Sequence, residues 1–318
     1  MSSPTYTFTP GATGANFVPN SIQELGDMVC KLSLQFIRGV ESFNPLAKFK
    51  KKAPTNGDTI EQAIVKMASA EAFDPTGASA LIKKDPEIAV KYFNTWNKRK
   101  FHTSISKITM TKVLEKDAPL SDITGPVISS LTEGDKDEDF TQEKALLKWG
   151  RQDQNGKVLK LYDTIPTTAD GKIDYKNVLI SLKDTVEGMK FCNASFNTSS
   201  LKRKTNESDI YIFMPYQLKN RIDVDELAGV FNLEKTELKE RIITIDTGKE
   251  EISNIDTYVI YVLDRNALAI YNRYYDMDNQ KNADGAFWNY FLHSEDMYGL
   301  SSLFDCGYIL VQTEVVGE

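Results

Sequence analysis

The chain has 318 residues, 41% hydrophobic and 26% charged, with 45 acidic against 38 basic side chains and a formal net charge of -7. A chain of this size and balance buries enough apolar surface to fold without disulfide or metal staples. The acidic excess argues against a protein whose whole surface grips nucleic acid, while leaving room for a local basic face.

The three cysteines, Cys30, Cys192 and Cys306, are widely spaced and form no CxxC pair. They suggest neither a zinc ribbon nor a disulfide framework, and read as small buried hydrophobes in a reducing compartment. Residues 1–20 are polar and rich in Gly, Pro, Ser and Thr. They read as an extended arm, and the lack of a basic region followed by an apolar run predicts no signal peptide. No apolar run approaches the roughly 18 residues that span a bilayer.

Ser21-Ile22-Gln23-Glu24 has the form of a capping box, and Ile22, Leu25, Met28, Val29, Leu32, Phe36, Ile37 and Val40 follow at helical spacing to Asn44-Pro45. Next come a basic cluster (Lys48, Lys50, Lys51, Lys52), an Asn56-Gly57 turn and a β-rich run from Thr59 to Met67. Asp85-Pro86-Glu87 predicts the cap of a helix with Ile88, Tyr92 and Trp96 on one face, and residues 101–106 alternate as a strand. Residues 45–108 thus hold little core and need a surface to lie on. Residues 109–155 read as a short helix broken at Gly125-Pro126, then a longer one whose acids from Glu133 to Asp139 suit the positive end of a helix dipole.

In the second half, strands are predicted at 158–165, 209–214, 241–245, 258–263, 268–275, 285–292 and 307–315. Helices are predicted at 175–190 and 223–231, so the body is α+β. Between them, "SFNTSSLKRKTNESD" is a polar loop with a basic cluster at Lys202, Arg203 and Lys204.

Chemical motifs mostly fail. Gly150 to Val158 imitates a phosphate loop with one residue too many and Val158 where a hydroxyl must meet magnesium. "DKDEDF" imitates a calcium loop, but Phe140 stands at the glycine position and Leu146 at the bidentate one. A second imitation, starting at Gln280, has Phe291 in that last place. Two histidines far apart form no metal motif, and no GxSxG is present. No catalytic, cofactor or metal residue is assigned.

The run "DGAFWNYFLHSEDMYG" packs Phe287, Trp288, Tyr290 and Phe291 together. It reads as an active site, a base-stacking platform or a buried wall. Rings on both faces of a strand suit one covered on both sides, and the neighbouring Asp284, Glu295 and Asp296 oppose stacking on nucleic acid. Burial in the subunit or at its border is the preferred reading, with Trp288 as its centre.

In their order, "FNPLAKFKK", "NGDTIEQ", "YFNTWNKRKFHTSIS", "VISSLTEGDKDEDF" before "KALL", "IDVDELAGVFNLEK", "VLDRNALAIYNRYYDM" and "NADGAFWNYFLH" resemble the major head proteins of short-tailed bacteriophages of the phi-twenty-nine type. That family has the Hong Kong 97-type capsid fold. The resemblance implies an α+β chain with an N-terminal arm and helix at 1–44 and an extended loop at 45–108. It implies a peripheral domain with a long spine helix at 109–167, an axial domain at 168–255 and returning strands of both at 256–318. The extra immunoglobulin-like domain of some members has no room after the last predicted strand.

The implied function is structural: self-assembly into pentamers and hexamers of an icosahedral head around double-stranded DNA, with no cofactor. The implied partners are further copies of the chain, a separate scaffolding protein or none, portal, minor capsid and decoration proteins, and packaged DNA touched non-specifically on the inner face. No membrane is implied. The place is the virion, assembled in the bacterial cytoplasm. Candidate subunit-interface residues are Lys48, Lys50, Lys51, Lys52, Asp58, Lys98, Arg99, Lys100 and Trp288. Two rivals stay open: a cargo-filled nanocompartment shell of the same fold, and an enzyme that fixes a metal on some of the many acids.

Overall fold

The computed structural model describes residues 41–54, 57–70, 85–106, 121–152, 158–225 and 241–315. In chain order they form β1 (Lys51–Lys52), β2 (Ile60–Val65), β3 (Ile88–Phe93), β4 (Asn97–Ser106), α1 (Ser121–Gln152), β5 (Lys160–Ile165), α2 (Tyr175–Met189), β6 (Ile210–Pro215) and α3 (Tyr216–Asp225). Then follow β7 (Ile242–Ile245), β8 (Glu250–Ile252), β9 (Ile255–Asp264), β10 (Leu268–Asn282), β11 (Phe287–Leu300) and β12 (Cys306–Val315). Described residues 102–106, 121–131 and 277–291 belong to a smaller unit and the others to a larger one.

The larger unit is organised by β9. Tyr258, Ile260 and Val262 face one way, Val259, Tyr261 and Leu263 the other, and all six are buried. An apolar run of this kind must be covered on both faces. On one face Val178, Leu182 and Val186 of α2 and Leu218 of α3 pack against it. On the other lie Phe140, Leu146 and Leu147 of α1, together with Leu46 and Phe49. The sheet runs β5-β12-β9-β6-β7, with β8 beside β9. β12 pairs antiparallel with β9 and parallel with β5. A second sheet has the order β1-β10-β11-β4, and β2 and β3 form a two-stranded ribbon.

The loop before β6 is anchored by Arg203. Its guanidinium meets Asp264 at 2.7 Å, while Thr205 and Asn197 donate to Asp305 at 2.7 and 3.0 Å. One member of the basic cluster read as a polar loop is therefore turned inward.

Several expectations change. Residues 88–93 form strand β3, where a helix was predicted. Ile88 and Tyr92 are four apart, a spacing that a strand also places on one face, and pairing with β2 from Ile60↔Phe93 to Val65↔Ile88 satisfies the backbone. Gly125-Pro126 does not break the helix. Pro126 sits within its first two turns, so one intrahelical hydrogen bond is lost and α1 runs on for 32 residues. Asp135 and Asp139 consequently lie in mid-helix, beyond reach of the dipole's end. Residues 45–108 carry more core than expected, with Leu46, Phe49, Ile60 and Ile105 buried. Of the cysteines expected to be buried, Cys306 is buried and Cys192 is exposed. The predicted first helix, with Cys30, and most of 223–231 lie outside the described residues.

Candidate functional site

The most unusual feature is a charged face buried on α1. Asp135, Asp139 and Glu143 recur every four residues and are all buried, continuing the line that Leu146, Leu147 and Gly150 complete. Charged side chains are almost never buried without partners, and here they come from distant segments.

Arg99 of β4 supplies the centre. Its Nη2 lies 2.5 Å from Asp139 and 3.1 Å from Asp135, and also pairs with Asp296 of β11. Lys50, just before β1, reaches Asp139 at 2.6 Å and Asp296 at 2.9 Å. Neutral donors complete the network: Ser294 to Asp135 at 2.8 Å, Tyr298 to Asp139 at 2.5 Å and Asn272 to Asp296 at 2.8 Å. Burial raises the pKa of Asp135, and the Asp139 charge adds to the rise. Burial also acts on Asp139, but hydrogen bonds from Lys50, Tyr298 and Arg99 outweigh it and hold its pKa below the ordinary value. Glu143 is the least compensated member. Among the described residues it accepts only from Asn44, at 3.0 Å, and its pKa is pushed up to about 7 by burial and by Asp139.

The oxygens of Asp135, Asp139 and Asp296 come within 4.8 Å of one another, a triad with the spacing of a cation site. One guanidinium nitrogen already donates to Asp139 and Asp296 and pairs with Asp135, so a metal would have to displace Arg99 together with its hydrogen bonds. The geometry therefore favours an ionic clamp, in which two cations on 41–101 hold three carboxylates on α1 and β11.

A second clamp lies at the base of the ribbon. Arg273 of β10 grips Glu295 through two nitrogens at 2.6 and 3.1 Å, pairs with Asp58 and stacks 4.6 Å from the Trp96 ring. The Trp96 indole donates to the Asp58 carbonyl at 2.7 Å.

The ribbon has two unlike faces. Ile60 and Phe93 turn inward, where Gly299 leaves room for the Phe93 ring. Val65, Ile88, Val90 and Tyr92 turn outward and are exposed.

The nine residues singled out from sequence divide as follows. Lys50 and Arg99 are engaged inside their own chain, Asp58 is paired with Arg273, and Lys98 lies 3.8 Å from Glu295. Lys48, Lys52 and Lys100 are exposed, and Lys51 is half-buried. Trp288, in the smaller unit, is half-buried under Lys281, 5.9 Å from its ring. Nearby in that unit, Phe291 stacks on His102 at 4.7 Å, and Ser104 donates to Asn289 at 2.6 Å. Sequence reasoning passed over Asp135, Asp139, Glu143, Arg273 and Asp296. The four-residue spacing of the three acids on α1 was the available signal.

A family model described as Phi29-like phage major capsid protein matches residues 13–310. The chain is 25% identical over 261 residues to the major capsid protein of Bacillus phage GA-1, an alignment that covers 79% of this chain and 52% of that protein. It is 22% identical over 291 residues to that of Streptococcus phage Cp-1, covering 86% and 78%. The chain thus spans about half the length of the GA-1 protein, and 59% of the similar protein of Bacillus phage B103. Among solved structures, the capsid structure of Staphylococcus phage Andhra superposes with a TM-score of 0.65 at 12% identity, covering 87% of this chain and 86% of that one. The Cyanophage Pam1 capsid asymmetric unit gives 0.53 at 8% identity, covering 88% and 95%. At these identities the likeness to solved structures shows the fold alone, an α+β capsid fold.

Proposed function

The chain belongs to the Phi29-like phage major capsid protein family, and on that premise we propose that it self-assembles into the pentamers and hexamers of a closed phage head around double-stranded DNA. The role is structural, without a catalytic step. A cargo-filled nanocompartment is not favoured, because the relatives are named capsid proteins of phages.

The outer face of the β2–β3 ribbon carries this reading. Val65 faces Ile88 across the ladder, Ala63 faces Val90 and Glu61 faces Tyr92, so the four large exposed apolar side chains share one side. Two strands alone are marginal in water, and a contiguous apolar patch marks an interaction site. We assign the patch to a second copy of the chain. A contact between two different surfaces repeats head to tail and closes into rings. Many weak contacts per subunit then add through effective concentration.

In this assignment residues 45–108 are the extended loop, α1 is the spine helix of the peripheral domain and 168–255 is the axial domain. The returning strands complete both. Lys98, Lys100 and Trp288 are placed at the subunit border. Lys50 and Arg99 act inside the chain, clamping the root of the loop to α1 and β11. Scaffolding, portal and decoration proteins are the further partners of the proposal, which places the chain in the virion after assembly in the host cytoplasm.

The test replaces Ile88 and Tyr92 with Asp together and compares melting and electron micrographs with the wild type. The expected result is unchanged melting and no closed shells. Normal shells from the double variant would overturn the assignment of this face.

A further inference from the structure

The basic stretch at the root of the loop divides into two faces. Lys50 turns inward to Asp139 and Asp296. Lys48, Lys51 and Lys52 turn elsewhere, and none of them forms an ion pair among the described residues. Lys48 lies 4.5 Å from the Tyr211 ring and 5.4 Å from that of Phe49, and Lys51 lies 5.8 Å from the Tyr271 ring. Aromatic faces hold these ammonium groups in place without cancelling their charge.

A fourth cation adds to them. Arg265, in the 3-10 turn that follows β9, is exposed and likewise makes no ion pair among the described residues. Burial lowers the pKa of Lys48 and Lys51, and repulsion from Arg265 lowers each further. In a chain with 45 acids against 38 basic residues, Arg265 repels both Lys48 and Lys51 while Asp264 attracts Lys51, so the cluster is only partly neutralised.

Two of these cations, Lys51 and Lys52, line a cleft of about 630 Å³ along the parallel pair β1 and β10 together with the ion-paired Lys50 and Arg273, with Lys51 beside Tyr271 and Lys52 beside Asn272 in register. Tyr274 and Tyr275 line the same cleft and are 47% and 50% exposed. A groove lined by lysines follows a nucleic-acid backbone through charge alone.

We propose that Lys48, Lys51, Lys52 and Arg265 form a phosphate-binding site for the backbone of DNA, an inference that rests on the reading of the chain as a shell around DNA. The choice of phosphate over the carboxylates of a second copy comes from the chain's own habits. Where it pairs carboxylates it uses mostly arginine, as at Arg99, Arg203 and Arg273, and the one inward lysine of this stretch, Lys50, is fixed between Asp139 and Asp296. The cleft offers mainly lysine, a point charge on a flexible stem, which suits a ligand held without fixed register. Such a site has no sequence preference, as a shell around arbitrary DNA requires.

The test measures binding of the full chain to a fluorescent 30-base-pair duplex between 50 and 200 mM salt. The wild type is compared with the K48Q/K51Q/R265Q triple variant and with K48R/K51R, and electron micrographs are taken of every preparation. Each neutralised phosphate contributes about 0.9 to the slope of log affinity against log salt. The triple variant is expected to be shallower by about 2.7, so that the wild type loses roughly 40-fold more affinity across that range. The charge-preserving variant is expected to keep the wild-type slope. An unchanged slope in the triple variant overturns the proposal. If that variant also fails to form shells, the cations meet carboxylates of a second copy instead. A wild-type chain that forms no shells yet shows the slope difference sinks the assembly reading and leaves this site standing.

Discussion

Glu143→Gln is expected to stabilise the chain increasingly as pH rises from about 4.5 to 7, with the gain nearly complete at neutral pH. The carboxylate is buried on α1, its Oε2 accepts from Asn44, and its Oε1 has no partner among the described residues. Burial and the Asp139 charge move its pKa from the ordinary 4.5 to about 7. A raised carboxyl pKa means that the folded chain binds this proton more tightly than the unfolded one. The resulting stability is fully present below about pH 4.5 and is lost as pH rises through 7. At about 1.36 kcal/mol per pH unit the loss comes to roughly 3 kcal/mol. A glutamine amide mimics the protonated acid and keeps an oxygen for Asn44, so the variant does not suffer this loss. Urea unfolding of unassembled chain at half-unit steps from pH 4 to 8 reads the difference directly. The two curves should nearly coincide at pH 4 and separate to roughly 3 kcal/mol at pH 8, with the variant the more stable. Parallel curves across the whole range would show that Glu143 does not titrate as the geometry requires.

Three further substitutions probe other parts of the structure. Arg99→Met leaves Asp135, Asp139 and Asp296 buried around an uncharged side chain and should cost ~3–5 kcal/mol at pH 7, with the deficit in unfolding midpoint shrinking as acid protonates them; a deficit that does not depend on pH counts against the clamp. Gly307→Ala points a methyl group at the backbone carbonyl of Lys160 and the Tyr162 ring, so it should lower stability by ~1–3 kcal/mol through overpacking and weaken the β5–β12 pairing, visible as faster amide exchange in both strands. Trp288→Ala, at a half-buried ring, should cost ~1–2 kcal/mol, less than a core tryptophan; a loss above 4 kcal/mol by thermal melting would mean that the ring is core after all.

Much of the architecture is legible locally. The apolar run at 258–263 marks β9, and Leu179, Leu182, Val186 and Met189 mark α2, because apolar side chains repeat with the period of the element that buries them. The ordered wording from "FNPLAKFKK" to "NADGAFWNYFLH" carries the family. At 88–93 the sequence misleads, because a spacing of four residues fits one face of a helix or of a strand. Only the ladder with β2 decides between them.

The ionic clamp was hidden for a different reason. By itself the sequence determined where apolar segments run and that the chain is an α+β member of this family. A periodic run of charges, such as the four-residue spacing of the acids on α1, does not by itself say burial, since water is the default partner of a charge and burial is penalised unless an opposite charge arrives. Asp135 and Asp139 therefore read as acids suited to the start of a helix, and Lys50 and Arg99 as candidates for a subunit border. The tertiary structure alone brings Lys50 and Arg99 to Asp139 across 89 and 40 residues of chain, and Arg99 to Asp296 across 197. Whether a charge faces water or the core depends on partners that distant in sequence, and only the folded chain delivers them.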